Sequence, residues 1–225
     1  MTKFEIVLDT ETTGLDAAGK DRIVEIGCVE LENHLPTGRT FHQYINPERD
    51  MPEEAFKIHG LSEAFLSQKP TFSEVSQRFL NFIDDRPLVI HNAEFDMAFI
   101  NAELKRINCL DIPVARAVDT LKIARERFPG APASLDALCR RFGVDNTART
   151  QHGALLDSHI LAEIYLELIG GRQQALVLQE TVEKSKKENN TEKKRLAARP
   201  HSASHNELAD HVILIDSIPN AIWRR

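Results

Sequence analysis

Phe4, Ile6 and Leu8 alternate with Glu5, Val7 and Asp9, the period-two spacing of a β-strand. The Thr-, Gly- and Asp-containing stretch 10–19 reads as a turn. Ile23, Ile26, Val29 and Leu31 mark a second strand over 22–31, and Pro36-Thr37-Gly38 predicts a turn into a third over 40–45, closed by Asn46-Pro47. Together these read as an antiparallel meander. The spacing then turns helical over 53–58 and 72–83, where Phe72, Val75, Phe79 and Phe82 share a face. A short apolar strand over 86–91 precedes a helix over 95–107, with Phe95, Phe99, Ala102 and Ile107 inward, and 117–121 reads as a brief strand. Ser134 caps a helix that ends at Gly143, and an amphipathic helix over 155–169 stops at Gly170-Gly171. The order predicts an α/β fold: a mixed five-stranded sheet, antiparallel meander plus parallel strands, flanked by helices.

Past Gly171 the texture changes. Residues 183–195 carry only charged, amide and hydroxyl side chains, which cannot offset the entropy of ordering, so a flexible linker is expected. Apolar content returns over 208–223 with Val212, Ile213, Leu214, Ile215, Ile218, Ile222 and the single Trp. That segment is too small to fold alone and reads as a docking element. The expected organisation is a domain over 1–171, a linker over 172–207 and a docking segment over 208–225.

Composition narrows the class. Of 225 residues, 42% are hydrophobic and 28% charged, as in a soluble globular protein with a sizeable core. Apolar runs such as 6–8 and 212–215 fall far short of the roughly 20 residues of a membrane span. Cys28, Cys109 and Cys139 form no CxxC pair, which argues against a disulfide framework or zinc knuckle, and the N-terminus lacks a signal pattern. The cytoplasm is the expected compartment. Residues 1–171 hold 18 Lys+Arg against 27 Asp+Glu, whereas 172–225 hold 10 against 7. An acidic body lacks the basic face of a simple nucleic-acid-binding module. It acts on phosphates only where clustered carboxylates hold cations and reverse the local sign.

Such a cluster is written into the chain. Asp9 and Glu11, two apart at the end of the first strand, project side by side. Asp96 follows the strand Leu88-Val89-Ile90 within His91-Asn92-Ala93-Glu94-Phe95-Asp96, where a helix-capping role is the alternative. His152 and Asp157, five apart, lie about 140° out of register on a helix, so they share a site only if His152 precedes the helix. Gly153 supplies the break.

In this order, Asp-x-Glu, Asn-x-x-Phe-Asp and His-x4-Asp resemble the DEDDh group of 3′→5′ exonucleases over residues 4–170, as do the flanking 9–15 and Ile58-His59-Gly60-Leu61. The resemblance implies a ribonuclease H-like fold and two Mg²⁺ or Mn²⁺ ions. Asp9 is then expected to bridge both ions, Glu11 and Asp157 to complete the nucleophile side, Asp96 to hold the second ion through water, and His152 to act as the base. It further implies that Thr12, Thr13, Leu15, His59 and Asn92 grip the 3′-terminal nucleotide of a single-stranded or frayed DNA end. For His59, Thr12 and Thr13 plain turn chemistry stays open. The remaining histidines, His34, His42, His91, His159, His201, His205 and His211, read as structural or surface residues.

The tail, ending Ala221-Ile222-Trp223-Arg224-Arg225, is similar to that of the proofreading subunits of bacterial DNA polymerase III. That similarity implies contact of Ile213, Ile215, Ile222 and Trp223 with the polymerase catalytic (alpha) subunit. Gln173, Leu176 and Leu178 resemble a weak sliding-clamp motif, departing from it where Leu178 replaces an aromatic, and simple helix packing is the alternative. A standalone nuclease acting on RNA or single-stranded DNA ends, or a non-catalytic adaptor, remains open at this point.

Overall fold

The computed structural model describes residues 2–147, 151–170 and 202–219, which belong to two units. In the first, β1 (Phe4–Thr12) pairs antiparallel with β2 (Ile23–Glu32), and β2 antiparallel with β3 (Leu35–Tyr44). On its other edge β1 runs parallel to β4 (Leu88–Ile90), and β4 parallel to β5 (Ala117–Asp119). The result is the mixed five-stranded sheet expected, in the order β3-β2-β1-β4-β5. Helices α1 (Glu53–His59), α2 (Glu63–Leu66) and α3 (Phe72–Ile83) lie between β3 and β4 in sequence. α4 (Ala93–Arg106) joins β4 to β5, and α5 (Thr120–Arg127), α6 (Leu135–Phe142) and α7 (Ala154–Leu168) follow.

Alternation along β1 decides which chemistry faces which helix. Ile6 and Leu8 are buried with Phe72 and Phe79 of α3 and Met97 and Phe99 of α4, whereas Val7 is buried with Leu161 and Tyr165 of α7. Each such side chain contributes about 1.5–3 kcal/mol. Even-numbered residues therefore face α3 and α4, and odd-numbered ones face α7, so Asp9 and Glu11 continue the α7 side and Thr10 the other. A third cluster, with Ala124 of α5 and Leu138 of α6 against Ile160 and Ile164, backs α7 from behind.

Two bonds tie α7 down. The Tyr165 hydroxyl donates to the buried Glu5 carboxylate at 3.0 Å, and Ser158 Oγ donates to the Gly27 carbonyl at 3.0 Å. At Gly27 the approach is closer than any side chain permits, since a Cβ there would lie 2.2 Å from the Ala154 carbonyl carbon and the Leu155 nitrogen. Gly27 pairs across the strands with Asp9, so this gap lowers the start of α7 onto the sheet beside that carboxylate.

The structure corrects several boundaries. The β2–β3 turn lies at Asn33-His34, both with positive φ (50° and 69°), rather than at Pro36-Thr37-Gly38. Two left-handed residues make the tight reversal that matches strand twist, and Pro36 is accepted in β3 because that strand is at the sheet edge. β1 continues through Thr12, which keeps Glu11 in the strand. β5 stops at Asp119, whose side chain caps α5 by accepting from the Leu121 and Lys122 amides, and α2 and α5 are additional helices.

In the second unit, α8 (His205–Ser217) begins with a capping box between Ser204 and Glu207. Leu208, Val212, Ile213 and Leu214 are exposed on it. No helix among the described residues is long and apolar enough to cross a membrane.

Candidate active site

A cleft of about 740 Å³ opens at the C-terminal end of β1, and Asp9, Glu11, Asp96, His152 and Asp157 all line it. Five residues spread over 149 positions of chain converge because three elements end here: β1, the start of α4 and the start of α7.

His152 and Asp157 meet as the register argument requires. Gly153 is the extended residue before α7 (φ −154°, ψ 123°), so His152 stands outside the helix, with Nδ1 3.5 Å from Asp157 Oδ2. The His152 amide donates to the Ile58 carbonyl at 3.2 Å, which ties its loop to the end of α1. His152 is exposed, whereas Glu11, Asp96 and Asp157 are buried. One ligand atom each from Glu11, His152 and Asp157 lies within 4.8 Å of the others. Buried carboxylates and an imidazole at that spacing are donors suited to a divalent cation, and the like charges of the two carboxylates favour binding one.

Asp96 is held from the opposite side of β1. Its Oδ1 accepts from the Thr10 amide at 3.0 Å and from Thr10 Oγ1 at 2.7 Å. Burial pushes its carboxyl up to about 7, and the two Thr10 bonds only partly counter this. The folded value lies above the unfolded one, so protonation favours the metal-free fold, and this contribution is lost as pH rises towards 7. A cation held by Asp96 would have to displace that proton. The melting-temperature gain from added Mg²⁺ should therefore grow with pH and level off above about 7. Thermal melts across that range, repeated with Asp96→Asn, check it; an equal gain at every pH excludes the competition.

Among the residues expected to touch substrate, Asn92 lines the cleft, and Thr12, Thr13, Leu15 and His59 do not. Asn92 sits in the left-handed region (φ 66°) before α4, and its amide donates to Asp119 at 3.2 Å. Thr12 Oγ1 donates to the Gly14 carbonyl and Thr13 Oγ1 to Asp21, both shaping the loop after β1, and Leu15 is 86% exposed on that loop. His59 is buried at the end of α1, where Nδ1 accepts from the Leu61 amide and burial lowers its basicity. Ile213 and Ile215 lie on α8, while Gln173, Leu176, Leu178, Ile222 and Trp223 lie outside the described residues.

Sequence reasoning missed three contributors: Thr10, Gly27 and His91. His91, read as structural, lines the cleft, with Nδ1 3.0 Å from Thr120 Oγ1 and burial holding it below the usual imidazole range. The available signal for Gly27 was a lone glycine inside a strand pattern, a mark of close backbone approach.

Residues 6–165 match the exonuclease family model. The chain is 49% identical over 226 residues to DNA polymerase III subunit epsilon of Rickettsia felis, across 95% of this chain and 96% of that one. Among solved structures, Exonuclease X in complex with 5′ overhanging duplex DNA aligns with a TM-score of 0.59 at 26% identity, over 73% of this chain and 90% of its own. The nuclease domain of 3′hExo, a DEDDh family member bound to rAMP, shares the fold with a TM-score of 0.64 at 20% identity, over 74% and 92%. A 3′→5′ exonuclease dependent on divalent metal is the class of enzyme defined by this sheet and these side chains. Within that class, the chain belongs to the DNA polymerase III subunit epsilon family.

Proposed function

We propose that the chain removes mismatched 3′-terminal nucleotides from DNA by hydrolysis of the terminal phosphodiester, as the proofreading member of a cytoplasmic replicative polymerase assembly. The observation that carries this reading is the convergence of Glu11, His152 and Asp157 within 4.8 Å, in the cleft that Asp9 and Asp96 also line.

Asp9, Glu11, Asp157 and Asp96 would hold a pair of Mg²⁺ or Mn²⁺ ions. Such ions, when bound, supply positive charge to the phosphate oxygens and the leaving 3′ oxygen and acidify the attacking water. Glu11 and Asp157 concentrate negative charge on the α7 side of β1, while Thr10 fixes the Asp96 oxygen from the other. His152, with Nδ1 turned toward Asp157, takes the water's proton at Nε2 as the general base. Thr12, Thr13, Leu15, His59 and Asn92 grip the terminal nucleotide, the two threonines by shaping the loop that presents Leu15. Unpaired ends are favoured because a frayed base costs less to splay out.

The apolar residues exposed on α8, together with Ile215, Ile222 and Trp223, suit docking on the alpha subunit, and Gln173, Leu176 and Leu178 suit weak contact with the sliding clamp. Tethering of the catalytic unit to the polymerase would raise the local enzyme concentration at the primer end, to the millimolar range for a short tether. Weak contacts then suffice.

The test is digestion of 5′-labelled single-stranded DNA, beside RNA of the same sequence, with Mg²⁺ or Mn²⁺ and after chelation, for the full chain and for a chain lacking residues 213–225. Stepwise 3′ shortening of DNA that chelation stops, equal for both chains, is expected, with alpha-subunit capture lost only in the truncated one. Faster digestion of RNA, or parallel loss of hydrolysis and capture, overturns the reading.

A further inference from the structure

The cleft is not uniformly acidic. Besides the four carboxylates and Asp136, the described residues of its wall include one Lys or Arg side chain, Arg125. Arg125 and Leu121 stand one turn apart on the same face of α5, and both line the cleft. The other cations of α5 are engaged: Lys122 pairs with Asp119 at 3.9 Å, and Arg127 donates to the Glu167 and Leu168 carbonyls at 2.6 Å each. Arg125 is exposed and makes no hydrogen bond or ion pair with any described residue. Its helix is fixed against the catalytic end, because Asp119 caps α5 and accepts from the Asn92 amide at the start of α4.

We infer that Arg125 holds a phosphate of the substrate strand upstream of the scissile linkage. The inference rests on the reading of the cleft given above. Cations held by the acids would neutralise the scissile phosphate, but the next phosphate of the strand would lie outside that cluster, against described residues that are otherwise acidic or neutral. A guanidinium supplies a planar pair of donors matched to phosphate oxygens. A cleft of about 740 Å³ is more than a terminal nucleotide's phosphate needs and leaves room along the strand for this contact. Because the scissile phosphate makes no use of Arg125, the residue is a positioning residue that acts on substrate binding.

The experiment compares the full chain with its Arg125→Ala and Arg125→Lys variants on two substrates. One is a single-stranded oligothymidylate; the other is the p-nitrophenyl ester of thymidine 5′-monophosphate, which has a scissile phosphodiester and nothing upstream. Arg125→Ala should raise KM for the oligonucleotide about tenfold, the value of a charge-assisted hydrogen bond, with kcat within about twofold. Kinetics on the ester should not change, and Arg125→Lys should recover part of the loss. The slope of log kcat/KM against log salt should flatten by about 0.7 in the alanine variant, the share of one single-strand phosphate. An unchanged KM on the oligonucleotide, or equal loss on both substrates, overturns the inference. If the unaltered chain hydrolyses neither substrate, the reading of the cleft fails instead.

Discussion

Glu11→Gln is expected to lower turnover on single-stranded DNA by about a thousandfold while raising the melting temperature of the metal-free protein. The two effects have opposite signs for one reason. Glu11 lies directly across from Glu25 in the β1–β2 pair, and both are buried. Like charges directly opposite destabilise a sheet by roughly 0.2–1 kcal/mol. Glu25 is relieved in part by His42, whose Nε2 lies 2.7 Å from its Oε1. Glutamine keeps the shape and removes the charge, so the metal-free fold gains what the proposed ligand set would lose. Several kcal/mol of charge stabilisation in the transition state correspond to about three decades of rate. Turnover assays beside melts in chelator and in Mg²⁺ read both effects. A variant that is equally active, or less stable in chelator, contradicts the role given to Glu11.

Gly27→Ala should be the most damaging single methyl group in the protein. The added carbon would lie 2.2 Å from backbone atoms of Ala154 and Leu155, and backbone cannot rotate aside as a side chain can. The start of α7 must lift off β2, stretching the Ser158 to Gly27 bond and carrying Asp157 away from Asp9 and Glu11. Overpacking of this kind costs about 1–3 kcal/mol or more. A displacement near 1 Å at a catalytic group costs about a hundredfold in rate. Thermal denaturation and turnover should therefore fall together, and Mg²⁺ should recover little of either. A normal melting temperature with normal turnover would show that α7 is free to shift.

Much of this was legible in the chain because the carboxylates sit at element ends marked by strong local patterns. The alternation of Phe4 to Asp9 places Asp9 and Glu11 on one face, and the helical register excludes His152 from α7; the structure agrees on both. What was illegible depends on pairs distant in sequence. Nothing local to Thr10 announces that it will hold Asp96, 86 residues away. The apolar run through Val118 hides the change from β5 to α5, since only the side-chain direction of Asp119 marks it, and Arg125 is hidden with it. The β2–β3 turn was misplaced because Pro36-Thr37-Gly38 has turn composition, while Asn33-His34 makes the tighter reversal.

His152 and the acids belong to different parts of the fold. Glu11 and Asp157 are built into a strand and a helix locked to each other, whereas the imidazole rides on a connecting segment, moored by its amide to the far end of α1. With the roles proposed for them, loading of ions and removal of a proton would be mechanically separate duties. Under the proposed roles, the reach of the base could be retuned by changes in that connecting segment without loosening the strand and helix that carry the acids.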